Sequence, residues 1–302
     1  MHSSGDILVL FLSTLVSVFG LLEHSFIITV YIRDLKNNGK LDSQDLIITS
    51  LAVSNILAQV IQFIVITISA LHTWHPGYQY FYFFHLFSCS LSSWLLAWLC
   101  IFYCVKIINS SHNCFLWIKK KTVCMTPHIL LGIVVCSTII SGTASFVTES
   151  TTLVNVTGTT GNYTLKYICS ACTTGHYLYL ACASFLPFII LVTSSIVIII
   201  YLCQHAQKME TILQGSGSLG AEIHIRVIKM FFSIIFIYTL IFSAVISYAL
   251  FAEYIKDVSS IILAMLYVTF PFNSSCLIIY SNTKLRSRCV SIWYCRNSHE
   301  DG

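Results

Sequence analysis

Seven long apolar runs, separated by short polar segments, dominate the pattern of hydrophobic and polar positions along this chain. A helix rises about 1.5 Å per residue, so about 20 apolar residues suffice to cross a hydrocarbon core of about 30 Å. The connections between the runs are too short to fold separately. The pattern therefore predicts an all-α fold in which residues 1–302 form one domain, a bundle of seven transmembrane helices. The predicted spans lie at about residues 7–32, 46–72, 78–106, 126–149, 177–203, 227–252 and 258–281.

The composition is that of a chain that lies mostly in lipid. Only 9% of the residues are charged and 56% are hydrophobic, and the mean hydropathy is +0.81. A soluble domain carries about 25% charged residues, so this chain has too little charge to cover a water-facing surface. These numbers exclude a soluble protein and predict a multi-pass membrane protein.

The distribution of Lys and Arg predicts the orientation in the membrane. Of the 16 Lys and Arg residues, all but Lys166 and Lys256 lie on the side reached by the ends of spans one, three, five and seven. Because loops that stay in the cytosol carry an excess of Lys and Arg, we expect the N-terminus outside the cell and the C-terminus in the cytosol. The formal net charge of +4 is then a property of the cytoplasmic face and does not indicate a nucleic-acid partner.

Two of the Asn-x-Ser/Thr patterns fit that orientation. Asn155 and Asn162 lie in the longest outer loop, where an N-glycosylation acceptor belongs. Asn109 falls on the cytosolic side and Asn273 falls within span seven, so neither is expected to be modified. We therefore predict N-glycosylation at Asn155 and Asn162.

Motifs for several kinds of chemistry are missing from the sequence. It contains no HExxH pattern, nucleophile elbow or phosphate-binding loop, and span seven lacks a lysine that could hold retinal. It also lacks the internal repeats common in secondary transporters. Cys169 and Cys172 have no second pair to complete a metal site, so neither a metal nor a cofactor is predicted. The favoured interpretation is a non-enzymatic bundle that binds a ligand and signals, and the alternative from another class is a small transporter or channel.

Two ionisable residues, Glu23 and His24, lie side by side near the middle of span one. A charge inside the membrane is expensive, so such a pair suggests a function by default. The other interpretation is that Glu23 is protonated, or bonded to His24 and a neighbouring helix, and fixes the packing. The sequence favours the packing role and leaves the functional one open.

The segment after span seven predicts a short interfacial helix. Leu285, Ile292 and Trp293 fall on one apolar stripe, and three arginines fall on the other side, a pattern typical of helices that lie in the membrane surface. Cys289 and Cys295 lie at positions where palmitoylation is possible, but only their location supports this.

Motifs in five of the spans occur in an order and at a spacing that resemble one receptor family. They are Trp94, Leu99, Phe102, Tyr103, Lys106, Ile107, Asn109, Phe115, Leu116 and Lys119; Leu51-Ala52-Val53-Ser54; Leu186-Pro187-Phe188 with His205 and Met209; His224-Ile225-Arg226 with Ser233; and Pro271, Ser275, Leu277, Ile278, Asn282, Lys284 and Leu285. With these residues the chain resembles the bitter taste receptors, the taste receptor type 2 family of G-protein-coupled receptors. The type 1 vomeronasal receptors are the closest alternative. His24, Asn55 and Ser274 stand where the family usually has Asn, usually has Arg and often has His, which suggests a divergent member and leaves a non-mammalian source open.

The resemblance implies a pocket for small, mostly apolar bitter-type agonists in the outer third of the bundle, between spans three, five, six and seven. Aligning span three on Trp94 puts His85 at pocket depth and Cys89 one turn deeper. Pockets of this kind are mostly apolar with a few polar groups, and His85, Ser90 and Tyr267 are the expected polar ones. The predicted pocket residues are His85, Cys89, Ser90, Ile241, Phe242, Ala264 and Tyr267.

The resemblance also implies a location in the plasma membrane and coupling to a heterotrimeric G protein, with a gustducin-like α subunit, at the cytoplasmic mouth. For any single lysine there, the positive-inside rule alone is an equally good explanation. The predicted residues for G-protein contact or switching are Tyr103, Lys106, His205, Lys208, His224, Arg226 and Lys284.

Overall fold

A computed structural model describes residues 4–70, 78–108, 113–154, 178–212, 218–251 and 256–300 of the chain. Within these ranges the chain forms eight helices and no strand, and the predicted all-α class is confirmed. The fifth helix opens with a π-helical turn at Leu180–Phe185. The helices are α1 (Ser4–Asn38), α2 (Ser43–Ala70), α3 (Tyr78–Ile107), α4 (Asn113–Val154), α5 (Leu186–Ile212), α6 (Ser218–Phe251), α7 (Lys256–Ser281) and α8 (Thr283–Glu300).

Helices α1 to α6 each contain a stretch long and apolar enough to cross a membrane. Helix α7 packs against α1 and α6 and closes a bundle of seven. Large apolar side chains on the outside of this bundle are exposed, such as Leu22 at 62%, Leu131 at 66% and Phe232 at 67%. Since these side chains have no protein neighbour to cover them, they face lipid.

One end of the bundle is formed by the C-terminal ends of α1, α3, α5 and α7 and by the N-terminal ends of α2, α4 and α6. It carries Lys106, Lys119, Arg226 and Lys284, and we call it the basic end. The other end is called the opposite end. The placement of the basic end in the cytosol stays a prediction.

Helices α4 and α8 show how polar residues shape the basic end. Helix α4 begins at Asn113, well before the apolar run at 126, because lysines such as Lys121 extend a helix into water without ending it. The Lys121 ammonium lies 4.4 Å from the ring centroid of Trp117. Between α7 and α8, Asn282 Oδ1 accepts a hydrogen bond from the Lys284 backbone N–H at 3.0 Å, as an N-cap does.

Helix α3 occupies the centre of the bundle, packing against α2, α4 and α5. Leu95, Leu96 and Cys100 are almost completely buried, because this helix has neighbours on most of its faces. Small residues allow close packing around it: the Ser54 and Ser92 hydroxyls, from α2 and α3, lie 2.9 Å apart. Small side chains let membrane helices approach each other and bond across the interface.

Helix α1 approaches α2 closely at Gly20. A Cβ atom at this position would lie 1.9 Å from Gln59 Nε2, so any larger residue would displace the buried Gln59 side chain. By contrast, a Cβ at Gly132 of α4 would meet nothing within 4 Å. The Gln59 side chain therefore occupies the space beside Gly20, whereas the space beside Gly132 is open.

Candidate functional site

A small, partly open cavity of about 50 Å³ lies between α2, α3, α6, α7 and the π-helical turn that precedes α5, towards the opposite end. We call it the core cavity. Phe270 and Pro271 form the part of its wall that α7 contributes. The lining residues are Ala58, Cys89, Ser92, Ser93, Tyr179, Ala183, Ser184, Tyr238, Ile241, Phe242, Val245, Phe270 and Pro271.

Stacked aromatic rings form one side of the core cavity. The Phe188 and Phe242 rings lie 4.4 Å apart between centroids, nearly parallel, and Phe188 also stacks on Tyr238 at 5.9 Å. Tyr238 in turn meets Phe270 edge-on at 5.5 Å. Rings bury much apolar area and attract one another in these geometries, so this side of the cavity suits an apolar or aromatic ligand.

The polar groups around the core cavity are few and small. They are the thiol of Cys89 and the hydroxyls of Ser92, Ser93, Tyr179, Ser184 and Tyr238. Two of these hydroxyls already have partners outside the lining: Ser92 Oγ lies 2.9 Å from Ser54 Oγ, and the Tyr179 hydroxyl donates to the Leu86 carbonyl at 2.8 Å. A mostly apolar wall with sparse hydroxyls is typical of small-molecule pockets.

The π-helical turn before α5 links two motifs that are distant in sequence. Within this turn the Leu186 N–H bonds to the Ala181 carbonyl instead of to the Cys182 carbonyl. The next donor in π register would be residue 187, but Pro187 has no N–H. Trp94 supplies the missing donor: its indole N–H bonds to the Cys182 carbonyl at 3.2 Å. This contact fixes α3 against the wall that Ala183 and Ser184 form.

The predicted pocket residues fall into three groups. Cys89, Ile241 and Phe242 line the core cavity. His85 lies one turn above, with its ring nitrogens 3.9 Å from Cys89 Sγ. Ser90 faces α4 and donates to Ser137 Oγ at 3.2 Å, so it does not line the cavity. The side chains of Ala264 and Tyr267 lie outside the described residues.

The sequence interpretation placed the pocket beside the fifth and sixth spans but named no pocket residue of the fifth span and did not name Tyr238 of the sixth. Tyr179, Ala183 and Ser184 belong to the first turns of the fifth span, and Tyr238 lies one turn before Ile241. The Leu186-Pro187-Phe188 motif was the available signal, because a proline in a membrane helix frees carbonyls and distorts the preceding turn. Which side chains that distortion turns inward depends on the π register, which the motif does not specify.

A polar seam runs from the core cavity towards α1 and α2. Asn55 Nδ2 donates to Ser274 Oγ at 3.1 Å, and Ser274 Oγ donates to the Pro271 carbonyl at 2.8 Å. His24 is buried and also interacts with the Pro271 backbone, although neither ring nitrogen reaches hydrogen-bond geometry with a described residue. The three positions that depart from the family pattern, His24, Asn55 and Ser274, are thus all linked to Pro271, Asn55 through Ser274.

Glu23 connects α1 to α7. Its carboxylate accepts hydrogen bonds from the Ser275 hydroxyl and, at 2.9 Å, from Cys276 Sγ. The expected bond to a neighbouring helix is therefore present, but the expected bond to His24 is not formed, because neither His24 nitrogen has a hydrogen-bond partner among the described residues. Adjacent residues on a helix point about 100° apart, so Glu23 and His24 meet different neighbours.

At the basic end, Tyr103 and Lys106 of α3 are joined through one residue of α2. Gln44 Nε2 donates to the Tyr103 hydroxyl at 3.0 Å, and Lys106 Nζ donates to Gln44 Oε1 at 2.6 Å. The Tyr103 ring also meets Phe231 of α6 edge-on, with centroids 5.8 Å apart. Tyr103 therefore contacts α2 and α6 at once.

Lys284 joins the start of α8 to α1 and α2. Its ammonium lies 2.6 Å from Asp34 Oδ2 and 2.8 Å from Asp45 Oδ2, and 5.1 Å from the ring centroid of Tyr31. Burial alone would lower the pKa of Lys284, but hydrogen bonds to the two carboxylates outweigh it and raise that pKa above its usual value. We call this arrangement the Lys284 lock, and Asn282 extends it by donating to the Tyr31 hydroxyl at 3.1 Å.

The other predicted coupling residues lie on α5 and α6. The Arg226 guanidinium lies 5.7 Å from the ring centroid of Tyr280 of α7, and His205 stacks on Tyr201, one turn before it, at 6.4 Å. The side chains of Lys208 and His224 lie outside the described residues, as do Asn155, Asn162 and the side chain of Cys295. Cys289 is exposed on α8.

Comparisons with known proteins all point to chemosensory receptors. A model of the family described as taste receptor protein (TAS2R) matches residues 1–297. Taste receptor type 2 member 8 of Homo sapiens is 28% identical over 306 residues, which cover 98% of each chain. Member 7 of Pan troglodytes is 30% identical over 285 residues, 90% of this chain and 88% of the relative, and member 143 of Mus musculus is 29% identical over 239 residues, 76% of this chain and 78% of the relative. These matches favour neither a vomeronasal-like receptor nor a transporter or channel.

Proposed function

Because the chain belongs to the taste receptor type 2 family of G-protein-coupled receptors, it is a bitter taste receptor and not an enzyme, and we propose that its agonists are small, mostly apolar compounds. The observation that carries this proposal is the core cavity, where Phe188 and Phe242 stack beside a few hydroxyls and a thiol. Apolar walls provide the binding free energy through burial, and the sparse polar groups orient the ligand.

The core cavity must enlarge to hold an agonist. Its volume of about 50 Å³ is well below the roughly 300 to 1,000 Å³ of typical ligand pockets. An agonist would therefore bind best to a conformer in which α5 or α6 lies farther from α3, and would shift the population towards that conformer through its differential affinity. We infer that the described conformation is a resting one.

The basic end is the proposed site of coupling. Tyr103 touches Phe231 of α6 through its ring and Gln44 of α2 through its hydroxyl. A displacement of α6 relative to α3 would break the ring contact and free the Tyr103 side chain to rotate away from Gln44. The residues proposed to contact the G protein or to gate its access are Tyr103, Lys106, His205, Lys208, His224, Arg226 and Lys284.

The chain is a multi-pass membrane protein of a G-protein-coupled family. Its finer partners and location are part of the proposal: a gustducin-like α subunit, the plasma membrane, and a cytosolic basic end. The excess of Lys and Arg at that end supports the orientation. N-glycosylation at Asn155 and Asn162 would show that the loop carrying them lies outside the cell.

A calcium-release screen tests the proposed agonist site. Cells supplied with a promiscuous G protein would be exposed to a panel of bitter compounds, first with the unmodified receptor and then with Phe242→Leu. Leucine keeps the apolar character but removes the stacking with Phe188, so we expect agonist potency to fall about tenfold, which corresponds to about 1.4 kcal/mol.

Phe236→Leu is the matched control, because Phe236 lies on the same helix but is 58% exposed to lipid. Its potency should equal that of the unmodified receptor at equal surface expression. Equal potency of the Phe242 variant and the unmodified receptor would contradict the assignment of the core cavity.

A further inference from the structure

A second cavity, of about 250 Å³, opens at the basic end between α2, α3 and α4. None of its lining residues lines the core cavity. We propose that this cavity binds the phosphate-bearing headgroup of an anionic membrane phospholipid, and we call it the headgroup cavity. The lining residues are Asp42, Ser43, Gln44, Phe102, Val105, Lys106, Lys119, Thr122 and Val123.

The charge of the lining favours an anion. Lys106 and Lys119 contribute two ammonium groups, against the one carboxylate of Asp42. Lys106 uses one donor on Gln44 Oε1, at 2.6 Å, and an ammonium has three, so two remain for a ligand. Lys119 is half-buried and forms no ion pair with any described residue. A half-buried ammonium next to an open cavity is well placed to bind phosphate oxygens.

The start of α2 adds a second source of positive potential. Helix α2 has 28 residues and begins at Ser43, in the wall of the cavity. The first N–H groups of a helix lack partners within it, and the helix dipole is positive at that end, so such a terminus attracts phosphate. Asp45 in the same turn would oppose this, but Lys284 pairs with its carboxylate at 2.8 Å. The Asp45 charge is thus compensated from the other side, which leaves Asp42, directly before the helix, as the one carboxylate that faces the two lysines of the lining.

The wall of the headgroup cavity is braced before any ligand binds. Ser43 Oγ donates to the Val123 carbonyl at 3.0 Å, which ties the start of α2 to α4. Gln44 holds the other side by bonding to both Tyr103 and Lys106 of α3. Preorganised polar groups bind more tightly because less ordering is required on binding.

The surroundings of the cavity indicate a lipid rather than a soluble anion. Val123, in the lining itself, is 48% exposed, and the neighbouring Leu116, Trp117 and Met125 of α4 are 51%, 60% and 40% exposed. Tryptophan is enriched at the level of lipid headgroups, and apolar side chains beside it are suited to acyl chains. A phospholipid can therefore place its phosphate beside Lys119 while its chains lie along α4.

Lipid binding to the purified receptor tests the proposal. Native mass spectrometry would count the lipids bound as phosphatidylinositol monophosphate is added, with phosphatidylcholine, a zwitterionic lipid of zero net charge, as the comparison. We expect the anionic lipid to bind preferentially and Lys119→Gln to weaken its binding about tenfold, because one charge-assisted contact is lost. Thr122→Val is a second variant of the lining, expected to weaken binding less, because it removes an uncharged hydroxyl.

The control variant is Lys120→Gln, which removes the same charge from an exposed neighbouring position outside the lining. It should bind the anionic lipid like the unmodified receptor. Equal weakening by Lys119→Gln and Lys120→Gln would overturn the proposal, because it would show only a general attraction to surface charge. If the free headgroup, an inositol bisphosphate, displaced the lipid at equal concentration, the cavity would be a site for soluble phosphates and the lipid assignment would be overturned.

Discussion

The core cavity and the basic end are held together by different interactions. Around the core cavity, α5 and α6 meet through stacked rings, as where Phe188 lies on Phe242 at 4.4 Å. At the basic end, α1, α2 and α8 meet through the Lys284 lock, in which one ammonium pairs with Asp34 and Asp45. Dispersion contacts between rings tolerate sliding and repacking, whereas charged hydrogen bonds are directional and shorter. The difference suits the proposed roles, in which the core cavity adapts to agonists and the basic end changes between discrete arrangements.

Breaking the Lys284 lock should have the largest effect on stability. Lys284→Gln leaves two largely buried carboxylates, those of Asp34 and Asp45, without a cation. Removing one partner of a fully buried pair costs roughly 3–5 kcal/mol; we expect about 2 kcal/mol here because Lys284 is partly exposed. Thermal unfolding in detergent measures the loss.

The exposed Lys36 of α1 is the control for that variant, and Lys36→Gln should unfold like the unmodified receptor. Because the pKa of Lys284 is raised, the contribution of the lock is complete below the ordinary lysine pKa and is lost only as the pH rises through the raised value. Equal unfolding temperatures for the Lys284 variant and the unmodified receptor would contradict the lock.

Trp94→Phe should have the next largest effect, at the wall of the core cavity. It removes the indole N–H that bonds to the Cys182 carbonyl, an acceptor whose donor in π register would be Pro187, and an unsatisfied buried acceptor costs about 1–3 kcal/mol. Trp117→Phe, at a position that is 60% exposed, is the control. A Trp94 variant as stable as the Trp117 variant would show that the π-helical turn does not depend on the indole.

The sequence predicted part of the lining of the core cavity but not the contacts that hold the basic end together. The resemblance predicted Ile241 and Phe242 as pocket residues and placed Cys89 one turn deeper than His85, and all three line the core cavity. The position of a residue along a span predicts its depth in the membrane, but the direction of its side chain depends on which helices are the neighbours. Ser90, one residue beyond Cys89, points towards Ser137 of α4. Contact of these residues with an agonist stays a prediction.

Contacts between distant segments could not be derived from the sequence. The Trp94 bond to Cys182 depends on the π register of the turn before Pro187. Lys284 was expected at the cytoplasmic mouth from the positive-inside rule and the family motif, and nothing in that pattern indicated its pairing with Asp34 and Asp45. Such contacts join residues far apart in the chain, and a single sequence contains no signal for which of them meet.

Tyr103→Phe should have a smaller effect, which appears in signalling. It removes the hydroxyl that Gln44 bonds at 3.0 Å but keeps the ring against Phe231. One neutral hydrogen bond contributes about 1 kcal/mol, enough to change the balance between resting and active conformers several-fold. Spontaneous and maximal calcium responses measure this change, and Tyr80→Phe, exposed near the opposite end, should leave both unaltered.

His85→Ala should have the smallest effect, and it tests whether the agonist site extends beyond the lining of the core cavity. His85 lies one turn above Cys89, outside the lining, so we expect a shift in agonist potency smaller than that of Phe242→Leu, without loss of surface expression. Unchanged dose–response curves would remove His85 from the proposed pocket.

The most direct test of the division between the two ends is a set of agonist dose–response curves for the unmodified receptor, Phe242→Leu and Tyr103→Ala at matched surface levels. We predict that the Phe242 variant needs about tenfold more agonist for a half-maximal response but reaches the same maximum. The Tyr103 variant should keep its half-maximal concentration and lose most of its maximum. If both variants changed the same parameter, or if the Tyr103 variant coupled fully, the separation of agonist binding at the core cavity from coupling at the basic end would be contradicted.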